Sequence, residues 1–447
     1  MKNILIKDAY IVNEGKTQKG SIHIKNDIIF KIYNSEDKFD DVVFDEIIDA
    51  KGKYLLPGVI DDQVHFRDPG LTHKADMETE SKAAVAGGTT TFMDMPNTIP
   101  QTITETLIRE KREIASRKSV ANYAFYIGAT NENIEELKNL DNSLVCGVKV
   151  FMGSSTGNML VDNKTILERL FSELSIVVAT HCEKEEIIKA NIAKYVSLYG
   201  ENLSIDFHSK IRNEEACYAS SSEACELASK MGGRLHMLHL STAKEMSLLE
   251  NKPLSDKKIT SEVCVHHLWF NDSDYASYGN KIKWNPAIKT ENDRLALMEA
   301  INNGKLDIIA TDHAPHLWEE KQGNCLKAAS GGPIIQYSLL IMLEKAKQGE
   351  LTIEKVVEKM AHAPAELFKI KNRGYIREGY FADIVLVDPN ATQIVDKTTI
   401  LSKCGWSPME GYIFNNKIDT TFVNGNPVYR NGSIDDSIKG VAVEFDR

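Results

Sequence analysis

The stretch Tyr54-Leu-Leu-Pro-Gly-Val-Ile-Asp-Asp-Gln-Val-His-Phe-Arg-Asp-Pro-Gly70 runs from an apolar segment straight into a cluster of ionisable and amide side chains. Val59 to His65 has the length of a buried strand, and its polar residues gather towards its C-terminal end. Seven further segments share that build: Thr89 to Met95, Asn122 to Gly128, Val145 to Phe151, Ser175 to Thr180, Leu235 to Leu240, Ile259 to Val265 and Asp307 to Thr311. Stretches with apolar residues at helical spacing follow most of them, which is the rhythm of repeated βα units. Eight consecutive units predict a closed parallel barrel, because parallel strands covered by helices bury both faces and read as continuous apolar runs.

Outside the barrel, expected over residues 54–365, the pattern changes. ILIKDAYIV and SIHIKNDIIFKI within residues 1–53, and GYIREGYFADIVLVD and TTFVNGNPVYRNG within 366–447, read as short strands punctuated by turns. The expected fold class is therefore α/β: a TIM-like (β/α)8 barrel plus a small β-sandwich domain formed by both chain termini. Of 447 residues, 42% are hydrophobic and 26% charged, as in a folded soluble protein. The net charge of −11 comes without a basic cluster, so nucleic acid is not an expected partner. No apolar run reaches the roughly 20 residues of a membrane-spanning helix, and the seven scattered cysteines form no C-x-x-C pair. A cytoplasmic protein handling a small molecule is the expectation.

The unusual residues fall at the C-terminal ends of the strands, the active face of such a barrel. Gln63, His65 and Arg67 alternate and are expected to face one side. Lys149 lies in an apolar strand, where an unpaired ammonium is costly to bury, so it needs a partner or a modification. His181, His239 and Asp312 end strands five, six and eight. A lone histidine at a strand end is ordinary packing, but three with an aspartate match the nitrogen and oxygen ligand set of zinc or a related divalent ion. Such an ion, or a pair, lowers the pKa of bound water towards neutrality. Asp312 beside it is placed to accept the proton of attacking water and pass it to a leaving nitrogen. Lys149 cannot ligate as an ammonium; as the carbamate formed with carbon dioxide it offers two oxygens and bridges two metals.

PGVIDDQVHFRDPG (Pro57 to Gly70), MPNT (Met95 to Thr98), LHMLHLST in strand six and ATDHAPH (Ala310 to His316) resemble the signatures of the dihydroorotases of the amidohydrolase superfamily. GYIREGYFADIVLVD is similar to the returning β domain of that superfamily. The resemblance implies that His65, His181 and His239 are metal ligands, Lys149 the carboxylated bridging lysine, and Asp312 both ligand and catalytic base. It implies one or two Zn2+ per chain. Arg67 and Asn97 would hold a substrate carboxylate, with Asn285 and His316 against the ring or its carboxylate. The implied reaction is reversible cyclisation of N-carbamoyl-L-aspartate to L-dihydroorotate and water, in pyrimidine synthesis. A homodimer, and association with aspartate carbamoyltransferase, are the protein partners it implies.

One position departs from the pattern. The family has His-x-His at the end of strand one, where this chain has Gln63-x-His65. Gln63 offers only a neutral amide oxygen, so either one metal subsite is weakened or Gln63 reaches the metal directly or through water. Two alternative functions stay open: a hydantoinase or dihydropyrimidinase, against which Arg67 argues, and an inactive assembly partner, against which the intact ligand set argues. Of the other histidines, His236 and His313 are expected to orient ligands, and at most one of His266 and His267 to face the mouth. Cys182 is expected to be a small buried side chain.

Overall fold

In the computed structural model, which describes residues 2–39, 42–152, 159–161 and 163–447, the eight expected strands are all present. They are β1 (Val59–Val64), β2 (Thr89–Asp94), β3 (Asn122–Phe125, resumed at Ile127–Gly128), β4 (Val148–Phe151), β5 (Val178–His181), β6 (Leu235–Met237), β7 (Ile259–Cys264) and β8 (Ile308–Ala310). Every residue of these strands is buried except Ile259, which explains why they read as apolar runs without alternation.

Neighbouring strands pair in parallel around the ring. Strand β3 changes partner midway: its first part pairs with β2, and Ile127–Gly128 pairs with β4. A parallel bridge from Val64 to His313, with the His65 amide donating to the His313 carbonyl at 2.7 Å, joins β1 to the chain beyond β8 and closes the barrel.

Helices cover the outside, and their starts are written locally. Met77–Ala86 begins at a capping box of Asp76 with Thr79, Glu291–Asn302 at one of Thr290 with Asp293, and Glu214–Met231 is capped by Asn213. None of the described helices is long and apolar enough to cross a membrane.

Both ends of the chain supply one further sheet of nine strands. Asn3–Asn13, Lys16–Lys25 and Ile28–Asn34 form its N-terminal part, and Ile384–Asp388, Lys417–Val423 and Asn426–Arg430 its C-terminal part. The seam is Tyr54–Pro57, parallel to Asn3–Asn13 and antiparallel to Ile384–Asp388, with Leu55 opposite Leu386. Tyr54, read from sequence as the start of the barrel, thus belongs to this sheet. The chain passes from one sheet to the other at Gly58, where a Cβ would stand 2.1 Å from Thr90 Oγ1. Alternation on Ile384–Asp388 divides its side chains: Ile384 and Leu386 join Ile4, Ile22 and Phe422 in the terminal core, while Val385 and Val387 pack into the main core.

Candidate active site

Gln63, His65, Arg67, Asn97, Lys149, His181, His239, Asn285, Asp312 and His316 all line one cavity of about 800 Å³ at the C-terminal face of the barrel. Every site residue expected from the sequence is therefore brought together. The reason for Arg67 differs from that expected. Strand β1 ends at Val64, and Arg67 reaches the cavity from a turn in which it adopts φ 65°, not by alternation along a strand.

Two pairs of side chains set the chemistry. His65 Nδ1 lies 2.8 Å from Asn97 Oδ1, to which it donates, so its Nε2 is a bare lone pair. That lone pair faces Asp312 Oδ1 at 3.2 Å. Burial holds His65 below the usual histidine value, although Asp312 opposes this. Across the cavity, His181 Nε2 donates at 3.0 Å to Glu183, and its Nδ1 lies 3.0 Å from His239 Nε2. Burial would raise the Glu183 carboxyl, but Arg212 and then His181 outweigh it and hold it at about 2. His239 is kept well below the usual histidine range by burial and by His181, and its Nδ1 is buried without a hydrogen bond.

Lys149 is 1% exposed, on β4, with Nζ 4.6 Å from the centre of the Phe151 ring and no ion pair among the described residues. Burial lowers its amine to about 8, against the opposing pull of Asp312 and Glu262. His65, His181, His239 and Asp312 thus present imidazole nitrogens and a carboxylate to one cavity, paired as His65 with Asp312 and His181 with His239. Imidazole nitrogens with a carboxylate are the ligand set of a zinc-type cation. The residues present fit the metal that the sequence implies.

Gln63 stands apart from this pattern. Its Nε2 approaches Asp312 Oδ1 at 3.4 Å, and its Oε1 meets Cys264 Sγ at 3.9 Å. Asn285 lines the cavity with its Oδ1 buried and unpaired. Arg67 donates through Nε to the Pro315 carbonyl at 3.1 Å and through Nη2 to His316 Nε2 at 3.2 Å. His316 Nδ1 lies 3.3 Å from both Glu320 Oε2 and Lys74 Nζ, and its Nε2 accepts from Arg67. Burial, then Arg67 and Lys74, keep this imidazole neutral.

Beneath the cavity, His236 and His313 are buried, and neither ring hydrogen-bonds directly to one of the expected ligands among the described residues. His236 lies between Asp62 at 3.3 Å and Glu262 at 3.5 Å, and Glu262 accepts the His239 amide at 3.1 Å. Burial would lower His236, but Asp62 and Glu262 lift it to about 9. His313 Nε2 pairs with Glu80 at 2.8 Å. His266 and His267 lie on a short helix, Val265–Trp269, that follows β7, and neither lines the cavity, within the expected limit of one but for a different reason. Strand alternation does not apply to them. Cys182 is buried.

Sequence reasoning missed Lys74, Phe151 and Ser330 in the lining, and Lys321 behind it. Lys321 is fully buried and donates to the carbonyls of Lys283, Ala329 and Gly331, tying the loop before Asn285 to the loop after β8. The paired glycines Gly331 and Gly332 were the one local signal that backbone packs closely there.

With barrel, terminal sheet and cavity in view, the class of protein is defined: residues 54–428 match the amidohydrolase family, and the chain belongs to it. The dihydroorotase of Methanosarcina mazei is 34% identical over 92% of this chain and 91% of its own length. The allantoinase of Bacillus velezensis is 30% identical over 96% and 94%. Among solved structures, the L-hydantoinase of Arthrobacter aurescens superposes with a TM-score of 0.90 at 26% identity, covering 97% of each chain.

Proposed function

We propose that this chain catalyses the dihydroorotase reaction, the reversible cyclisation of N-carbamoyl-L-aspartate to L-dihydroorotate and water. The observation that carries the reading is Arg67. Its guanidinium is buried in the cavity wall with Nε and Nη2 occupied and Nη1 without a protein acceptor among the described residues. A buried cation aimed at a pocket calls for an anionic substrate, and a carboxylate accepts a guanidinium well. Hydantoins and dihydropyrimidines without a carboxylate leave that charge unmatched. The dihydroorotases among the relatives support the same choice.

His65, His181, His239, Asp312 and a carboxylated Lys149 are the residues that hold zinc in this reading. With its amine brought down to about 8 by burial, Lys149 carries an uncharged fraction near neutral pH that takes up carbon dioxide, forming a nitrogen–carbon bond and releasing a proton. When bound, the cation polarises the amide carbonyl and activates water near neutral pH. In the hydrolytic direction Asp312 accepts a proton from the attacking water as it adds to the ring carbonyl. It returns that proton to the ring nitrogen as the carbon–nitrogen bond breaks. Asn97, whose Oδ1 is engaged by His65, retains its amide N–H groups for the substrate carboxylate. Asn285 and His316 line the side on which the ring is held.

Turnover of dihydroorotate and dihydrouracil by the zinc-loaded protein tests this. Turnover of dihydrouracil alone overturns it. The finer parts of the reading are cytoplasmic pyrimidine synthesis, a homodimer and association with aspartate carbamoyltransferase. Gel filtration with and without that transferase tests the last two. The seven cysteines, none in a disulfide, support a reducing compartment.

A further inference from the structure

Beside the cavity, but outside its lining, lies a second group of donors at the junction of β7 and the helix Val265–Trp269. Cys264, His266 and His267 each bring one donor atom within 4.8 Å of the other two, and all three residues are buried. The reaction proposed above uses none of them.

Their hydrogen bonding is incomplete in a directed way. His267 donates through Nε2 to the Pro286 carbonyl at 3.1 Å, which leaves Nδ1 a bare lone pair, and that atom is buried without a partner. Neither ring nitrogen of His266 makes a hydrogen bond among the described residues, and its ring stacks on Trp284 with centres 4.3 Å apart. A histidine whose far nitrogen is fixed by a backbone carbonyl while the near one points at other ligands is the arrangement metal-binding histidines adopt. One thiolate with two imidazoles suits a zinc-type ion.

We propose that Cys264, His266 and His267 form a structural site for a zinc-type divalent cation, distinct from the residues at the barrel mouth. Binding releases the thiol proton of Cys264 and forms one metal–sulfur and two metal–nitrogen bonds. The site fastens the end of β7 to the loop that carries Asn285, because His266 stacks on Trp284 and His267 holds Pro286. Gln63 Oε1, 3.9 Å from Cys264 Sγ, adjoins it.

Cobalt(II) is the probe, added to the full-length protein after chelator stripping. The expected result is a saturable thiolate-to-cobalt charge-transfer band in the near ultraviolet. It is lost in Cys264→Ser and kept in Cys182→Ser and in His239→Asn. Absence of the band from folded wild-type protein, or its survival in Cys264→Ser, overturns the site and leaves the unpaired atoms to water. If Cys264→Ser does not fold, His267→Gln keeps the thiol and should weaken cobalt binding at least tenfold; unchanged affinity overturns the proposal. The band reads the thiolate alone, so its failure leaves the mouth site standing. Loss of dihydroorotate turnover in His239→Asn leaves the band.

Discussion

His181 Nδ1 faces His239 Nε2 across 3.0 Å in a buried pocket, with the Nε2 proton of His181 donated to Glu183. The arrangement is relieved by a cation. Chelator treatment should abolish turnover, and zinc should restore it. The zinc-loaded protein should melt higher than the stripped one, by the equivalent of about 2.7 kcal/mol at a hundred times Kd. Calorimetry with and without zinc checks this; equal melting curves count against a metal at the mouth.

Asp312→Asn should lower kcat by about 10²–10⁴-fold, the usual contribution of an acid–base group. Asp312 adopts φ 45°, a left-handed conformation that asparagine tolerates, so the backbone should be undisturbed. Circular dichroism unchanged from wild type, together with loss of turnover, is the expected pair of results. An active variant removes Asp312 as the base.

Arg67→Gln should raise KM for dihydroorotate by about 10²-fold or more, in line with an unpaired buried carboxylate contact. Turnover of neutral rings should be little changed. Steady-state kinetics with dihydroorotate and dihydrouracil separate the two; equal losses on both would place Arg67 in the frame of the pocket and not on the substrate.

Gln63→His should raise metal content if position 63 belongs to the ligand set. Gln63 reaches Asp312 and Cys264 with its amide, so the new imidazole has a carboxylate beside it. Metal analysis of the two purified proteins decides, and unchanged content puts position 63 outside the set.

Two buried neutral histidines should each withdraw stability as the solution is acidified below neutrality. His208 is buried and held well below its usual value, by burial first and then by Lys283 and Arg212, and His316 is likewise kept neutral. Their folded values lie below the unfolded one, so the unfolded chain binds more protons as pH falls through about 6.5. Their share of the stability is complete above that value and is lost below it. Each of the two should cost about 1.4 kcal/mol between roughly pH 7.5 and 5.5. Urea midpoints of the metal-free protein and of His208→Gln across this window measure the His208 share, and parallel profiles contradict it.

The barrel was legible because burial on both faces writes each strand as an apolar run, and the ends of those runs placed His65, Lys149, His181, His239 and Asp312 together. What stayed hidden depends on turns and on backbone partners. Arg67 enters through a left-handed turn that alternation does not describe. His266 and His267 lie on a helix that begins at Val265, directly after the last residue of β7. Lys321, in the polar run Trp318-Glu-Glu-Lys321, reads as solvated, yet its ammonium is enclosed by three carbonyls from two loops. Carbonyl positions leave no mark in side-chain identity.

The seam at Tyr54–Pro57 also governs the order of assembly. During synthesis the N-terminal strands emerge first, but the antiparallel partner of Tyr54–Pro57, Ile384–Asp388, follows only after the whole barrel has been made. Until then one border of that sheet is an open edge of the kind that recruits foreign strands. A ribosome that stalls within the barrel therefore displays a sticky half-sheet, and the final closure of the molecule is a docking of chain ends onto a finished core.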